Sequence, residues 1–162
     1  RVITAIERCP VPMIAAISGA VTGGGASIAC ACDIRIATPT ARFGFPIART
    51  LGNCLSMANH ARLAALLGPA RVKDIVFTAR LMEAEEGHRV GLYSEIVADH
   101  AALMSRAREL ATTIAGHAPL TMRATKEALR RLTAAAVPAD GGDDLVVMCY
   151  DSADFREGME AF

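Results

Sequence analysis

Residues 10–46 read PVPMIAAISGAVTGGGASIACACDIRIATPTARFGFP, where short apolar runs alternate with turn residues. Residues 13–17 (MIAAI) have no polar face, which is typical of a buried strand. Residues 20–32 predict a strand, a glycine loop and a helix, in that order. Residues 33–37 alternate and are rich in β-branched side chains, so they predict the next strand, and residues 41–46 are partly extended. This part of the chain therefore mixes strands with helices.

On both sides of this stretch the chain is mostly helical. Residues 1–8 resemble the end of a helix, which the prolines at positions 10 and 12 break. Residues 47–58 predict a loop that continues into a helix. The other predicted elements are a strand at 93–97 and helices at 56–67, 70–78, 83–89, 99–115, 119–132, 145–150 and 154–162. The composition changes near residue 99, from mixed strand and helix to helix alone.

Composition limits the class of protein. The 162 residues fit one domain, and 52% of them are hydrophobic. Seventeen basic residues balance seventeen acidic ones, and Trp is absent, so we expect no nucleic-acid partner. No apolar run approaches the roughly 20 residues of a membrane span. The chain begins at Arg1 without a basic-then-apolar leader, and we interpret it as a fragment of a longer cytoplasmic polypeptide.

The cysteine pattern favours free thiols. Five cysteines are present, without a C-x-x-C motif and without a zinc-like Cys/His spacing, so we expect no metal site. Because the number is also odd, we expect free thiols in a reducing cytoplasm. Cys30 and Cys32 lie in an apolar stretch, which predicts small core residues.

Gly23, Gly24 and Gly25 form the most informative local feature. Glycines allow close approach of a ligand to backbone, and free N–H groups at a helix start favour an oxyanion or a phosphate. A Walker loop needs Gly-Lys-Ser/Thr where this chain has Gly-Ala-Ser, and a dinucleotide fingerprint needs glycine at position 28, which is isoleucine. A tight turn that only packs a helix on a strand is the alternative.

The order of motifs resembles that of the crotonase (enoyl-CoA hydratase/isomerase) family. The family's P-V-I-A-A-hydrophobic-x-G, Gly-Gly-Gly, C-D-hydrophobic-R-hydrophobic-A and A-x-F-G-x-P landmarks occur in sequence within residues 10–46. The match continues through LLGPARVKDIVFTARLMEAEEGHRVGLYSEIV, HAPLTMRATKEAL and DFREGMEAF. The resemblance therefore covers nearly the whole chain.

The resemblance implies an α/β fold of the ClpP/crotonase type, a spiral of ββα units with C-terminal helices that assemble trimers or hexamers. Residues 1–98 would be the C-terminal part of that core, and residues 99–162 the helical region. Members bind acyl-CoA thioesters, so coenzyme A arrives with the substrate and no separate cofactor is expected. The matching motif makes the Gly24 N–H an oxyanion donor, and the second donor lies upstream of this chain.

Other substrate contacts follow from the same resemblance. Gly23, Gly25 and Pro46 would line the thioester site, and Phe162 would contact the adenine end of coenzyme A. Hydratases carry two glutamates at positions that are here Ser27 and Ile47. Because losing a positioned acid or base costs about 10²–10⁴ in rate, hydration by the family mechanism is not expected.

No substitute for the glutamates is evident in the sequence. Arg49 and His60 follow Ile47, but a solvated arginine and a packed or surface histidine are the simpler interpretations. Cys54 has no evident base, and Asp33 matches a structural position of the family. One extra residue between Pro46 and Gly52 shifts the local alignment.

Two functions remain open from the sequence. The first is an acyl-CoA enzyme that keeps enolate stabilisation but isomerises, decarboxylates, hydrolyses or slowly hydrates its substrate. The second is a non-catalytic acyl-CoA binder or structural subunit. In either case we expect residues 1–162 alone to lack hydratase activity.

Overall fold

The computed structural model describes residues 2–161, which form helices and short strands. The helices are α1 (Val2–Arg8), α2 (Gly23–Ala31), α3 (Met57–Leu67), α4 (Pro69–Phe77), α5 (Ala84–Arg89), α6 (His100–Ala115), α7 (Pro119–Ala135), α8 (Asp143–Tyr150) and α9 (Ala153–Ala161). The strands are β1 (Ile14–Ile17), β2 (Ala20–Thr22), β3 (Ile34–Ala37), β4 (Arg42–Gly44), β5 (Met82–Glu83) and β6 (Glu95–Ile96).

The strands form two three-stranded sheets that the chain visits in turn. The first has the order β1-β3-β6 and is parallel, with Ile14 opposite Ile34. The second has the order β2-β4-β5, in which β2 and β4 are parallel and β5 is antiparallel to β4. Gly19, at φ +81°, lets the chain leave β1 and enter β2 after only two residues. The resulting β1-β2-α2 unit is the ββα pattern expected from the sequence.

The hydrophobic core lies between α2, the second sheet and helices α3–α5. Phe43 and Phe45 are fully buried and meet edge to face, with ring centroids 5.7 Å apart. Small residues on one face of α2, such as Ala26 and Ala29, let that helix approach the sheet closely. The position of α2 is therefore fixed by tight packing along its length.

The helical C-terminal region packs on this core in stages. Helix α6 contacts β1 and β3, and α7 contacts α1 and α3. Asp99 caps α6, because its side chain accepts a hydrogen bond from the Ala102 N–H at 2.8 Å. The division of the chain near residue 99 stays a prediction, because these helices share contacts with the residues before it.

Several predicted elements differ from the observed ones, including α7, which ends at Ala135 rather than 132, and α8, which begins at Asp143 rather than 145. The glycine triplet is not a loop that precedes a helix, because α2 begins at Gly23 and the triplet forms its first turn. The strand predicted at 93–97 is limited to Glu95–Ile96. The helix predicted at 83–89 begins at Ala84, because Met82–Glu83 pair with β4 instead. The two strand differences arise from pairing with distant strands, and the early start of α2 from its packing on the sheet, neither of which local periodicity reports.

Candidate active site

The first turn of α2 presents backbone N–H groups that have no hydrogen-bond acceptor within the helix. Thr22 is the extended N-cap residue, at φ −132° and ψ 163°, and its side chain makes no capping hydrogen bond. The first N–H groups of a helix have no acceptor within it and lie at its electropositive end. A Cβ atom added at Gly23 or Gly24 would meet no atom within 4 Å apart from the adjacent residues and the backbone of the same helix. The side-chain positions of both glycines therefore face open space, beside N–H groups that suit an anionic oxygen.

Ser27 lies one turn further along α2 and is 8% exposed. Its hydroxyl donates a hydrogen bond to the carbonyl oxygen of Gly23 at 3.1 Å. The hydroxyl proton is thus held by the backbone of the same helix, at the base of the glycine turn. This contact favours a structural role for Ser27 over a role as acid or base.

Ile47 lies in a separate element, the 3-10 helix Pro46–Ala48. Its side chain is partly buried and packs against the hydrophobic core. Pro46 occupies the first position of this helix, where its missing N–H costs nothing. Both positions at which the resemblance predicts glutamates therefore hold side chains that are tied into the protein and carry no carboxyl group.

The alternative candidates near this site have other environments. Arg49 is exposed just after the 3-10 helix. Burial lowers the pKa of His60 on α3, which favours its neutral form. Burial is also the largest of the effects that raise the pKa of Cys54, so its thiolate is disfavoured. Phe162, predicted to contact the adenine of coenzyme A, lies outside the described residues.

Asp33 has a structural environment, as the sequence indicated. Its carboxylate accepts hydrogen bonds from the Met13 N–H at 2.7 Å and from the Lys126 ammonium at 2.6 Å. The aspartate therefore joins the start of β1 to helix α7. No part of this arrangement faces the glycine turn at the other end of α2.

Arg35 is a structural residue that the sequence analysis did not single out. Its side chain is buried in β3 and donates to the carbonyl oxygens of Leu92 at 2.9 Å, Cys32 at 2.5 Å and Ala29 at 3.2 Å. Burial lowers the pKa of this guanidinium. The cation lies at the electronegative end of α2, where it complements the helix dipole. The sequence did contain a sign of this role, because Arg35 is the one charged residue in the otherwise apolar strand sequence IRIA.

A cavity of about 610 Å³ lies beyond that same end of α2. Its walls come from α1, α3, α6, α7 and residues 30–35. Two ion pairs border it, Glu7 with Arg62 and Asp33 with Lys126. A nine-residue helix rises about 13 Å, so this cavity is separate from the Gly24 amide.

The described residues, 2–161, hold neither a metal-binding cluster nor a membrane-spanning helix. No three His, Cys, Asp or Glu side chains there are grouped closely enough to hold a metal ion. In the same residues no helix has both the length and the apolarity that crossing a bilayer requires.

Known proteins resemble this chain along its entire length. The family model described as enoyl-CoA hydratase/isomerase matches residues 1–162. The short-chain-enoyl-CoA hydratase of Clostridium acetobutylicum is 34% identical over 100% of this chain and 62% of its own length. The mitochondrial enoyl-CoA hydratase domain-containing protein 2 of Homo sapiens is 37% identical over 97% of this chain and 55% of its own. The chain thus spans about three fifths of these relatives.

The fold has solved counterparts. A methylmalonyl-CoA decarboxylase in complex with 2-nitronate-propionyl-CoA superposes with a TM-score of 0.90 at 30% identity, over 99% of this chain and 63% of that one. A putative enoyl-CoA hydratase/isomerase family protein from Hyphomonas neptunium has a TM-score of 0.74 at 37% identity, over 99% and 61%. These likenesses confirm the predicted α/β fold of the crotonase type. The ordered motifs, the family model and the fold agree that the chain belongs to the enoyl-CoA hydratase/isomerase, or crotonase, family.

Proposed function

We propose that this chain is the part of an acyl-CoA-processing protein that stabilises a thioester enolate through the Gly24 N–H. The observation that carries the proposal is the glycine turn, which places unprotected amides beside open space at the start of α2. Charge that develops on a thioester oxygen is stabilised by such preorganised donors. Coenzyme A would enter as part of the substrate, and the second donor would come from outside this chain.

Decarboxylation is the reaction that fits these residues best. When an acyl-CoA with a carboxylate on its α-carbon loses CO₂, the electron pair of the broken bond becomes the enolate, which then takes up a proton. No protein base is needed to form the enolate, whereas hydration requires an activated water. Ser27 and Ile47 supply no carboxylate for that water. One similar structure is a methylmalonyl-CoA decarboxylase, which supports this choice.

The second candidate is a non-catalytic acyl-CoA binder. It is favoured by the environments of Ser27, whose hydroxyl donates to Gly23, and Ile47, which packs into the core. Turnover of methylmalonyl-CoA and crotonyl-CoA by the intact protein, followed by chromatography of the CoA esters, separates the two. Release of propionyl-CoA supports the decarboxylase, and thioester binding without turnover supports the binder. Crotonyl-CoA hydration at the rate of an ordinary hydratase would overturn both.

Gly24→Ala tests the proposed donor directly. The added methyl group has free space in the protein, so the variant should fold normally, and a methyl group beside the bound thioester oxygen should weaken thioester binding. Gly116→Ala is the matched control, because Gly116 ends the remote helix α6 at φ −81°. Ser27→Ala should keep most activity if its hydroxyl only supports the helix. Equal thioester affinity in Gly24→Ala and the parent would refute the role of residue 24.

We further propose that the protein assembles as a homotrimer or hexamer. Helices α7 and α8 expose large apolar side chains that a subunit contact would cover, including Leu120, Leu132 and Met148. Sedimentation of the intact protein measures this directly. A monomer at micromolar concentration would contradict the proposal.

A further inference from the structure

The C-terminal helical pair α8–α9 lies against the segment of residues 50–57. A Cβ atom at Gly52 would come within 3.2 Å of Asp154, and one at Gly158 within 2.8 Å of the Thr50 carbonyl oxygen. Both glycines thus mark close approaches between helix α9 and this segment. The segment directly follows the 3-10 helix that contains Ile47, so the helical pair covers chain next to the candidate active site.

Two cysteines meet at this contact. The Cys54 thiol lies 3.7 Å from the carbonyl oxygen of Leu145 on α8. Cys149 follows Leu145 by four residues, so both lie on the same face of that helix. The Cys149 thiol is also close enough to raise the pKa of Cys54, after the larger effect of burial. Cys54 is therefore positioned against the helix face that carries Cys149.

We propose that Cys54 and Cys149 are a redox modification site, at which a reversible intrachain disulfide ties helix α8 to residues 50–57. The reaction is thiol–disulfide exchange with a small disulfide such as oxidised glutathione. The Cys54 thiolate attacks the small disulfide and releases one thiol, and the Cys149 thiolate then attacks the mixed disulfide and releases the second. Two protein thiols are oxidised and one small disulfide is reduced to two thiols.

Exposure distinguishes this pair from the other thiols. Cys54 and Cys149 are both partly exposed, whereas Cys30 and Cys32 are buried in the core. Cys9 is also partly exposed, but it lies at the end of α1 and not on this contact. Because only the thiolate reacts, and the pKa of Cys54 is raised, exchange should accelerate as the pH increases.

Peptide mapping of the intact protein tests the pairing. After equilibration with oxidised glutathione, free thiols are blocked with N-ethylmaleimide and the protein is digested with trypsin without reduction. Cleavage after Arg and Lys gives peptides 50–62 and 132–156, each with one cysteine. The expected result is these two peptides joined by a disulfide, in protein that migrates as a single chain. Cys9→Ser is the matched control and should leave the linked species unchanged.

A second measurement reports what the bond does. Amide hydrogen exchange of α8 should slow roughly tenfold or more on oxidation of the parent, and should not change in Cys149→Ser. The pairing is overturned if both peptides carry maleimide or separate glutathione adducts after equilibration. Linkage of either peptide to peptide 9–35, which contains Cys9, Cys30 and Cys32, would overturn it as well. Both outcomes are read on the parent protein, so they do not depend on the folding of a variant, and neither depends on acyl-CoA turnover.

Discussion

Replacing Arg35 with methionine should destabilise this fold more than any surface change. Arg35 is 8% exposed, and its guanidinium donates to four carbonyl oxygens, three at the end of α2 (Ala29, Cys32 and Asp33) and one at Leu92 before β6. Methionine fills most of the volume of the side-chain stem but donates no hydrogen bond. The substitution therefore removes the polar contacts and leaves buried carbonyl groups without partners.

The size of the effect follows from those contacts. A hydrogen bond from a charged group contributes about 1.5–3 kcal/mol, and a stranded buried acceptor costs about 1–3 kcal/mol. The parent also carries the cost of holding a cation away from water, which the substitution relieves in part. We expect a net loss of about 3–4 kcal/mol in the free energy of unfolding. With a urea dependence of about 2 kcal/mol per molar, the midpoint falls by about 1.5–2 M.

Urea unfolding followed by far-ultraviolet circular dichroism measures this change. Arg49→Met is the matched control, because Arg49 is exposed and its loss should stay within about 0.5 kcal/mol. Arg35→Lys should fall between the two, since one ammonium group retains the charge but cannot span four separated carbonyls. Midpoints for Arg35→Met and Arg49→Met that agree within error would refute the assigned role of these bonds.

Three other changes should follow from local contacts. Gly44→Ala should lower the free energy of unfolding by about 1–3 kcal/mol, measured in urea, because its Cβ would come within 2.8 Å of the Arg80 carbonyl oxygen. Cys30 should resist alkylation at pH 8 until the protein is unfolded, since burial raises its pKa to about 12, and mass spectrometry of labelled peptides detects it. The pKa of Glu86 is lowered from 4.5, chiefly by its hydrogen bond from Arg80. This pair should stabilise the fold above pH 4.5 and lose that effect as the pH falls through the folded-state pKa, so thermal midpoints should decline less on acidification in Arg80→Met.

Local patterns predicted most elements that depend on nearby residues. The apolar run at 13–17 predicted a strand, and all of it except Met13 forms β1. The periodic apolar residues after Asp99 predicted the helix that is observed as α6. The start of α2 was placed too late, because glycine is a weak helix former and the packing of Ala26 and Ala29 against the sheet outweighs that preference. Strand β5 has two residues, too few for any periodicity, and exists because it pairs with β4.

The candidate site was predictable only where one motif contains it. Gly24 and Ser27 lie within four residues, so the motif alone placed both on α2. The hydroxyl bond that occupies Ser27 required coordinates, because a serine in a helix can turn its side chain elsewhere. The approach of Cys54 to α8 joins residues about 90 positions apart, and no local pattern reports such a contact.

Helix α2 makes stability and ligand binding depend on opposite ends of one short element. Its first turn offers the Gly24 amide, and its last carbonyls are held by Arg35. Arg35→Met should therefore loosen the far end, tilt the amide and weaken both folding and thioester binding. Gly24→Ala should weaken thioester binding without lowering the free energy of unfolding. Alanine within a helix is more stable than glycine by about 0.5–1 kcal/mol. Thioester affinity that stays at the parent value in folded Arg35→Met protein would show that the amide is aimed by the core packing of α2 instead.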